Sequence, residues 1–154
     1  METIENKRYI SSDDVTNLVG ARYINCKFNL TTLPSFASCQ FHNCIFVRCK
    51  VDELLNCKFW ACKFDECDFT EADVRYSQTE SASPTIASNC KMAGIAAIND
   101  CRWWAGLSVD DATVYDILTL CLLPISVAKQ SVYKSIPDKF RGRVASLLRR
   151  PLRK

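Results

Sequence analysis

Ten cysteines and one histidine are the residues of this 154-residue chain best suited to chemistry, and their spacing limits what they can do. Zinc sites draw on closely paired cysteines together with histidine. Here no C-x-x-C occurs, the nearest cysteines stand five residues apart, and His42 is the sole imidazole. A nucleophilic cysteine needs an exposed, electropositive setting with a base at hand, and the pattern provides none. Disulfides need an oxidising compartment, whereas Met1-Glu2-Thr3-Ile4-Glu5-Asn6 lacks the charged-then-apolar form of a secretory signal. The expectation is a cytoplasmic protein whose reduced thiols act as small apolar side chains. Four glycines, in neither a Walker nor a dinucleotide arrangement, offer no phosphate cradle. No metal, cofactor or catalytic residue is expected.

Charge is the second chemical feature. The net value is +3, but Lys129–Lys154 carries nine Lys/Arg against Asp138 alone, while residues 1–128 hold 11 bases against 16 acids. The most concentrated acids are Asp65, Glu66, Asp68, Glu71 and Asp73. An acidic body with a basic tail is two electrostatic objects on one chain.

The elements that must position these groups are set by a period of five. Small residues recur with a larger one two positions later: Ala21-x-Tyr23, Cys26-x-Phe28, Thr31-x-Leu33, Cys39-x-Phe41, Cys44-x-Phe46, Cys49-x-Val51, Cys57-x-Phe59, Cys62-x-Phe64, Cys67-x-Phe69, Ala72-x-Val74 and Ser77-x-Thr79. A helix would rotate such positions around its axis, and a continuous strand would alternate them between faces. A chain that turns a corner every five residues points all of them inward. Four such sides close one coil, and stacked coils lie about 4.8 Å apart, as paired strands do. Two intervals of eight, 31–39 and 49–57, read as three-residue corner insertions. Stacks of Tyr23/Phe46/Phe69 and Phe41/Phe64 are then expected, with Ala21/Cys44/Cys67, Cys26/Cys49/Ala72 and Cys39/Cys62 beside them. Trp60 falls on an outward position, where it either packs under a terminal element or marks a contact surface.

The run Asn56-Cys57-Lys58-Phe59-Trp60-Ala61-Cys62-Lys63-Phe64-Asp65-Glu66-Cys67-Asp68-Phe69-Thr70-Glu71-Ala72-Asp73 resembles the pentapeptide-repeat family almost unit for unit. The resemblance covers about residues 21–79, with weaker echoes at Cys90-x-Met92 and Cys101-x-Trp103. It implies a mainly β fold, a short right-handed quadrilateral β-helix of three to four coils, with a C-terminal α-helical extension.

Three regions follow: an N-terminal cap (1–20), the β-helix (21–107) and a basic helical extension (108–154). Ser12 to Gly20 has the form of a short capped helix that covers the first coil. Residues 80–88 read as a loop. Ser108-Val109-Asp110-Asp111 has the form of a capping box, opening a helix to about Leu123. Val114, Ile117, Leu118 and Cys121 belong to a nearly all-apolar surface that could meet a second copy of the chain, and the resemblance implies C-terminal dimerisation in many relatives; a monomer is the alternative. The stretch Ile117–Val127 is too short to span a bilayer. Around 138–149 a basic amphipathic helix sets Phe140, Val144, Leu147 and Leu148 against Arg141, Arg143 and Arg149, with Arg150 next to it. Such a helix serves an acidic protein, nucleic acid, a membrane surface, or simply packing.

The functional expectation is a non-catalytic module. Quinolone-resistance relatives imply an acidic rod that binds DNA gyrase in place of DNA, so the expected partner is a nucleic-acid-processing enzyme, a topoisomerase or a host defence nuclease. The candidate surface is the acidic run with Trp60. The alternative is that the basic tail binds nucleic acid or anionic membrane and the β-helix is a spacer.

Overall fold

The computed structural model describes residues 1–80, 82–91, 102–103 and 106–110. Its strands are two to four residues long and pair only in parallel, as a solenoid of about five turns. Four sheets run along it. The first holds β1 (Glu2–Glu5), β3 (Ala21–Ile24), β7 (Gln40–His42), β11 (Lys58–Trp60) and β14 (Gln78–Thr79). The second holds β2 (Arg8–Tyr9), β4 (Lys27–Phe28), β8 (Ile45–Val47), β12 (Lys63–Asp65), β15 (Thr85–Ser88) and β16 (Leu107–Val109). The third pairs β5 (Thr32–Leu33) with β9 (Lys50–Val51), and the fourth holds β6 (Phe36–Ala37), β10 (Glu53–Leu55) and β13 (Asp73–Arg75).

The register differs from the expected one. Tyr23 pairs with Phe41 and Phe41 with Phe59, while Phe28 pairs with Phe46 and Phe46 with Phe64. These partners are eighteen residues apart rather than twenty-three. The eight-residue intervals are not corner insertions. Each contains a complete short side with its own core residue, Phe36 or Leu54, and these two are partners across β6 and β10. A regular twenty-residue step appears only later, where Leu54 meets Val74 and Phe59 meets Thr79. Thr70 and Glu71 supply the two added residues. The thiol columns shift with the rings, so that Cys26, Cys44 and Cys62 share one column, Cys39 and Cys57 another, and Cys49, Cys67 and Cys90 a third.

Ring packing explains why this register is stable. Along a column the rings lie nearly parallel, Phe28–Phe46 at 4.9 Å and 7°, Phe46–Phe64 at 4.6 Å and 13°. Between columns they meet edge to face, as Tyr23–Phe28 at 5.4 Å and 72° and Phe36–Phe41 at 5.0 Å and 80°. Both are favoured aromatic geometries, and one lattice satisfies them together. Trp103 closes the far end, edge-on to Phe59 at 5.4 Å. There Thr79 Oγ1 donates to Trp103 O (2.7 Å) and accepts from Gly106 N (2.9 Å). A Cβ at Gly106 would sit 2.4 Å from the Glu80 carbonyl carbon, so the close approach admits only glycine.

The solenoid also extends beyond the expected repeat. Residues 2–9, expected within a cap, form β1 and β2 and add a turn. The short helix expected over 12–20 is one 3-10 turn at Ser12–Asp14, capped by Ser11, whose side chain accepts from Asp13 N. Within the stretch expected as a loop, Thr85–Ser88 is β15 and places Ala87 on Phe64. Ser108 does not cap a helix; it lies in β16, paired with Ile86. Its hydroxyl suits an N-cap locally, but the parallel ladder takes the backbone. Val114, Ile117, Leu118, Cys121, Arg141, Arg143, Arg149 and Arg150 lie outside the described residues, as do the helices expected around them.

Corners carry the conformational cost. Asn25, Ser38, Asn43, Arg48, Asn56, Ala61, Glu66 and Asn89 all have φ between 51° and 55°, each just before an inward cysteine. A left-handed residue costs roughly 1–2 kcal/mol unless it is glycine or, to a lesser degree, asparagine. Asparagine also repays part of that locally: Asn43 Nδ2 donates to Asn25 Oδ1 at 2.7 Å. Ala61 occupies the next coil of that corner and has neither advantage. Ala61→Asn is expected to raise stability in urea unfolding by about 0.5–1 kcal/mol. Phe46→Ala, which empties the centre of a column, is expected to lower it by about 3–5 kcal/mol.

Candidate functional site

The thiols are the strongest nucleophiles among the described residues. Cys26, Cys39, Cys44, Cys49, Cys57, Cys62, Cys67 and Cys90 are free and at most 2 % exposed. Each turns its Sγ to the carbonyl two residues back and to a second carbonyl on the preceding coil. Cys44 reaches His42 O (3.5 Å) and Tyr23 O (3.4 Å), Cys62 reaches Trp60 O (3.4 Å) and Phe41 O (3.3 Å). A thiol placed against two carbonyls keeps its proton. Desolvation, then the charge Cys39 would carry, push Cys57 up to about 12. The side-chain hydrogen bond with Cys62, then burial, drive Cys44 far above the ordinary thiol range. Cys44 and Cys57 are therefore neutral packing groups at physiological pH. Among the described residues no group of three or more His, Cys, Asp or Glu is placed to hold a metal ion.

The acidic run does not form one face. Asp65 ends β12 on the six-stranded sheet, Glu66 is the following corner, Asp68 bridges to Lys50 and Lys91, and Asp73 opens β13 on another sheet. The chain turns between them, so consecutive carboxylates point in different directions. They are also partnered by cations: Glu66 by Arg48 (3.7 Å), Glu71 by Lys50 (3.5 Å) and Asp73 by Arg75 (2.6 Å). Burial raises the Asp68 carboxyl, but hydrogen bonds from Thr70 and the nearby Lys91 and Lys50 outweigh it and hold it low. Exposed pairs of this kind add little stability, yet they cancel much of the negative field.

Trp60 has a different setting. On β7 and β11 it pairs with His42, and the rings stack at 4.3 Å and 7°. Ile24 precedes His42 in the same column. The parallel column on this outer face is Arg22, Gln40, Lys58 and Gln78, with Arg22 Nε donating to Gln40 Oε1 at 3.2 Å. Desolvation, then the Arg22 charge, lower the His42 pKa, and its Nε2 is buried without a hydrogen-bond partner. The His42–Trp60 contact follows from the short sides within the eight-residue intervals, since Ile24, His42 and Trp60 recur at eighteen. That spacing was the signal available.

Two outcomes are expected here. Because unfolding restores the ordinary His42 pKa near 6.5, the unfolded state binds more protons just below that pH. Stability is then fully present above 6.5 and falls as pH drops towards the depressed folded value. His42→Gln should flatten this slope in chemical unfolding run as a pH series. Alkylation mapped by mass spectrometry should leave Cys44, Cys57 and Cys67 unmodified at pH 8 in the native protein and modify them fully in denaturant.

Among the described residues no helix is long and apolar enough to cross a membrane. No protein-family model, curated protein or solved structure matches this chain, and the parallel solenoid itself is compatible with a repeat β-helix such as the pentapeptide repeats.

Proposed function

We propose that this chain is a non-catalytic protein-interaction module, an inhibitor or protector that binds a nucleic-acid-processing enzyme such as a gyrase-like topoisomerase or a defence nuclease. Its finer architecture on this reading is a right-handed, four-sided β-helix carrying C-terminal helices and a basic tail. The observation that carries the proposal is the burial of every described thiol in columns bonded to carbonyls. Stacked rings occupy the axis beside them, so the chemistry left to the solenoid is that of its outer faces. Stiff ladders of side chains suit recognition, because little conformational entropy remains to be lost on binding.

The mode of action differs from simple replacement of DNA. About five turns at roughly 4.8 Å give a rod only about 20–25 Å long. The acids of the run from Asp65 to Asp73 wind around three sides, and Glu66, Glu71 and Asp73 are matched by cations. Enzyme recognition then rests on mixed polar and aromatic faces rather than on a uniform negative field.

The second reading gives the binding role to the basic residues of 129–154, with nine cations against one acid. Adding the purified chain to a supercoiling assay and to a restriction-type nuclease assay separates the two. On the leading reading, near-stoichiometric protein inhibits or protects one of these enzymes, and deletion of residues 129–154 preserves the effect. Binding to DNA or anionic vesicles without any effect on either enzyme, lost with the deletion, would favour the tail instead.

A further inference from the structure

We infer that the thiol columns of this solenoid bind soft monovalent cations of the copper(I) and silver(I) class, each ion held linearly between two sulfurs on adjacent coils. The register sets the columns. Cys26, Cys44 and Cys62 each precede a member of one ladder, Lys27, Ile45 and Lys63. Cys49, Cys67 and Cys90 precede the bridged residues Lys50, Asp68 and Lys91, and Cys39 and Cys57 precede Gln40 and Lys58. The sulfurs also point alike. Cys44 Sγ meets Tyr23 O (3.4 Å) and Cys62 Sγ meets Phe41 O (3.3 Å), while Cys67 meets Phe46 O (3.2 Å) and Cys90 meets Phe64 O (3.3 Å). Those acceptors are themselves ladder partners, Tyr23 with Phe41 and Phe46 with Phe64. Successive sulfurs therefore repeat one another's placement at the coil spacing.

That spacing selects the ion. A thiolate–metal bond is roughly 2.3 Å, so a linear S–M–S unit spans about 4.6 Å, close to the coil repeat of about 4.8 Å. A disulfide, at roughly 2.05 Å between sulfurs, would have to pull the coils together. A tetrahedral ion such as zinc needs four ligands, and among the described residues no group of three or more ligating side chains is placed to hold one. Two-coordination suits soft d10 monovalent ions, which prefer thiolate to carbonyl. Charge balances as well. Cys44 and Cys62 share a hydrogen bond, as do Cys49 and Cys67. The ion takes the place of the shared proton. One S–H bond breaks, its electron pair forms the S–M bond, and the proton leaves to solvent. The second thiol keeps its hydrogen and donates a lone pair to the metal. The unit stays neutral, as sites at most 2 % exposed require. Because the ion displaces the proton, no free thiolate is needed beforehand.

The test is native mass spectrometry of the full chain, refolded from urea with silver(I) nitrate in chloride-free buffer and then desalted. Refolding with the ion present keeps entry into the buried columns from being limiting. The coil accommodates alanine at these positions, since Ala21 already stands in line with Cys39. A central thiol serves two links and an end thiol one; without Cys44, Cys26 and Cys62 lie about 9.6 Å apart, two coil repeats. Cys44→Ala and Cys67→Ala are each expected to retain two fewer ions than the unsubstituted chain, and Cys26→Ala and Cys57→Ala one fewer. Circular dichroism of every loaded chain should match that of the unloaded one. Equal losses from central and end variants, zinc(II) retained with the same pattern, or β-structure lost on loading would overturn the proposal.

Discussion

The structure depends on parallel, in-register pairing of each coil with the next. Once a strand pairs with the one eighteen residues later, the same register fixes every inward side chain above its counterpart. Ring must then stack on ring and thiol on thiol. The sequence satisfies that demand with two residue sizes: phenylalanine fills the column, and cysteine fits beside the backbone where a larger group would collide. Cysteine adds something alanine lacks. Its Sγ meets the carbonyl two residues back and one on the previous coil, as Cys67 does with Asp65 O (3.6 Å) and Phe46 O (3.2 Å). Where the columns end, hydroxyls take over, with Ser77 Oγ accepting from Cys57 N at 3.0 Å and Thr85 Oγ1 from Cys62 N at 3.3 Å. A stronger polar group is used where the next coil is irregular.

The bend that makes this possible is costly, and its cost is unevenly relieved. Asparagine stands at Asn25, Asn43, Asn56 and Asn89, where a left-handed backbone is comparatively tolerable. Arg48 and Glu66 occupy the same conformation without that advantage, and face each other across coils as an ion pair at 3.7 Å. Such an exposed pair recovers only part of the conformational penalty. The core rings, each able to contribute several kcal/mol when fully buried, hold these corners closed. Packing therefore overrides local preference at Arg48, Ala61, Glu66 and Tyr76.

This hierarchy explains what could be read from the residues alone. Cys57 to Phe69 was legible, because inward size and outward polarity alternate there without interruption. Residues 2–9 were not, because Glu2 and Lys7 stand where cysteine stands in later coils. No coil lies above them, so their side chains reach solvent and the inward rule relaxes. Thr85-x-Ala87 escaped for the opposite reason: beneath the bulk of Trp103 the large position needs only a methyl group. The short sides at Phe36 and Leu54 were hidden by a fixed expectation of five residues per side, although an apolar residue lies at the centre of each eight-residue interval. Ser108 shows the limit of local signals, since a capping pattern gives way when a strand edge is available. At the candidate site, the acids were visible but their directions were not, because one misplaced corner rotates every later residue to another face.

A core made this way restricts where function can arise. Interior positions are committed to stacking, and Cys44 and Cys57 among them are kept protonated by desolvation and by neighbouring thiols. Outer positions are freer, since no ring must fit above another. Stacking on the outer face at His42 and Trp60 is therefore not required by the coil. It leaves the imidazole Nε2 buried without a partner. Folding alone would be served as well by a pair of threonines at those positions, which suit a solvated sheet face. The aromatic pair on the first sheet is therefore packing that the coil itself does not demand.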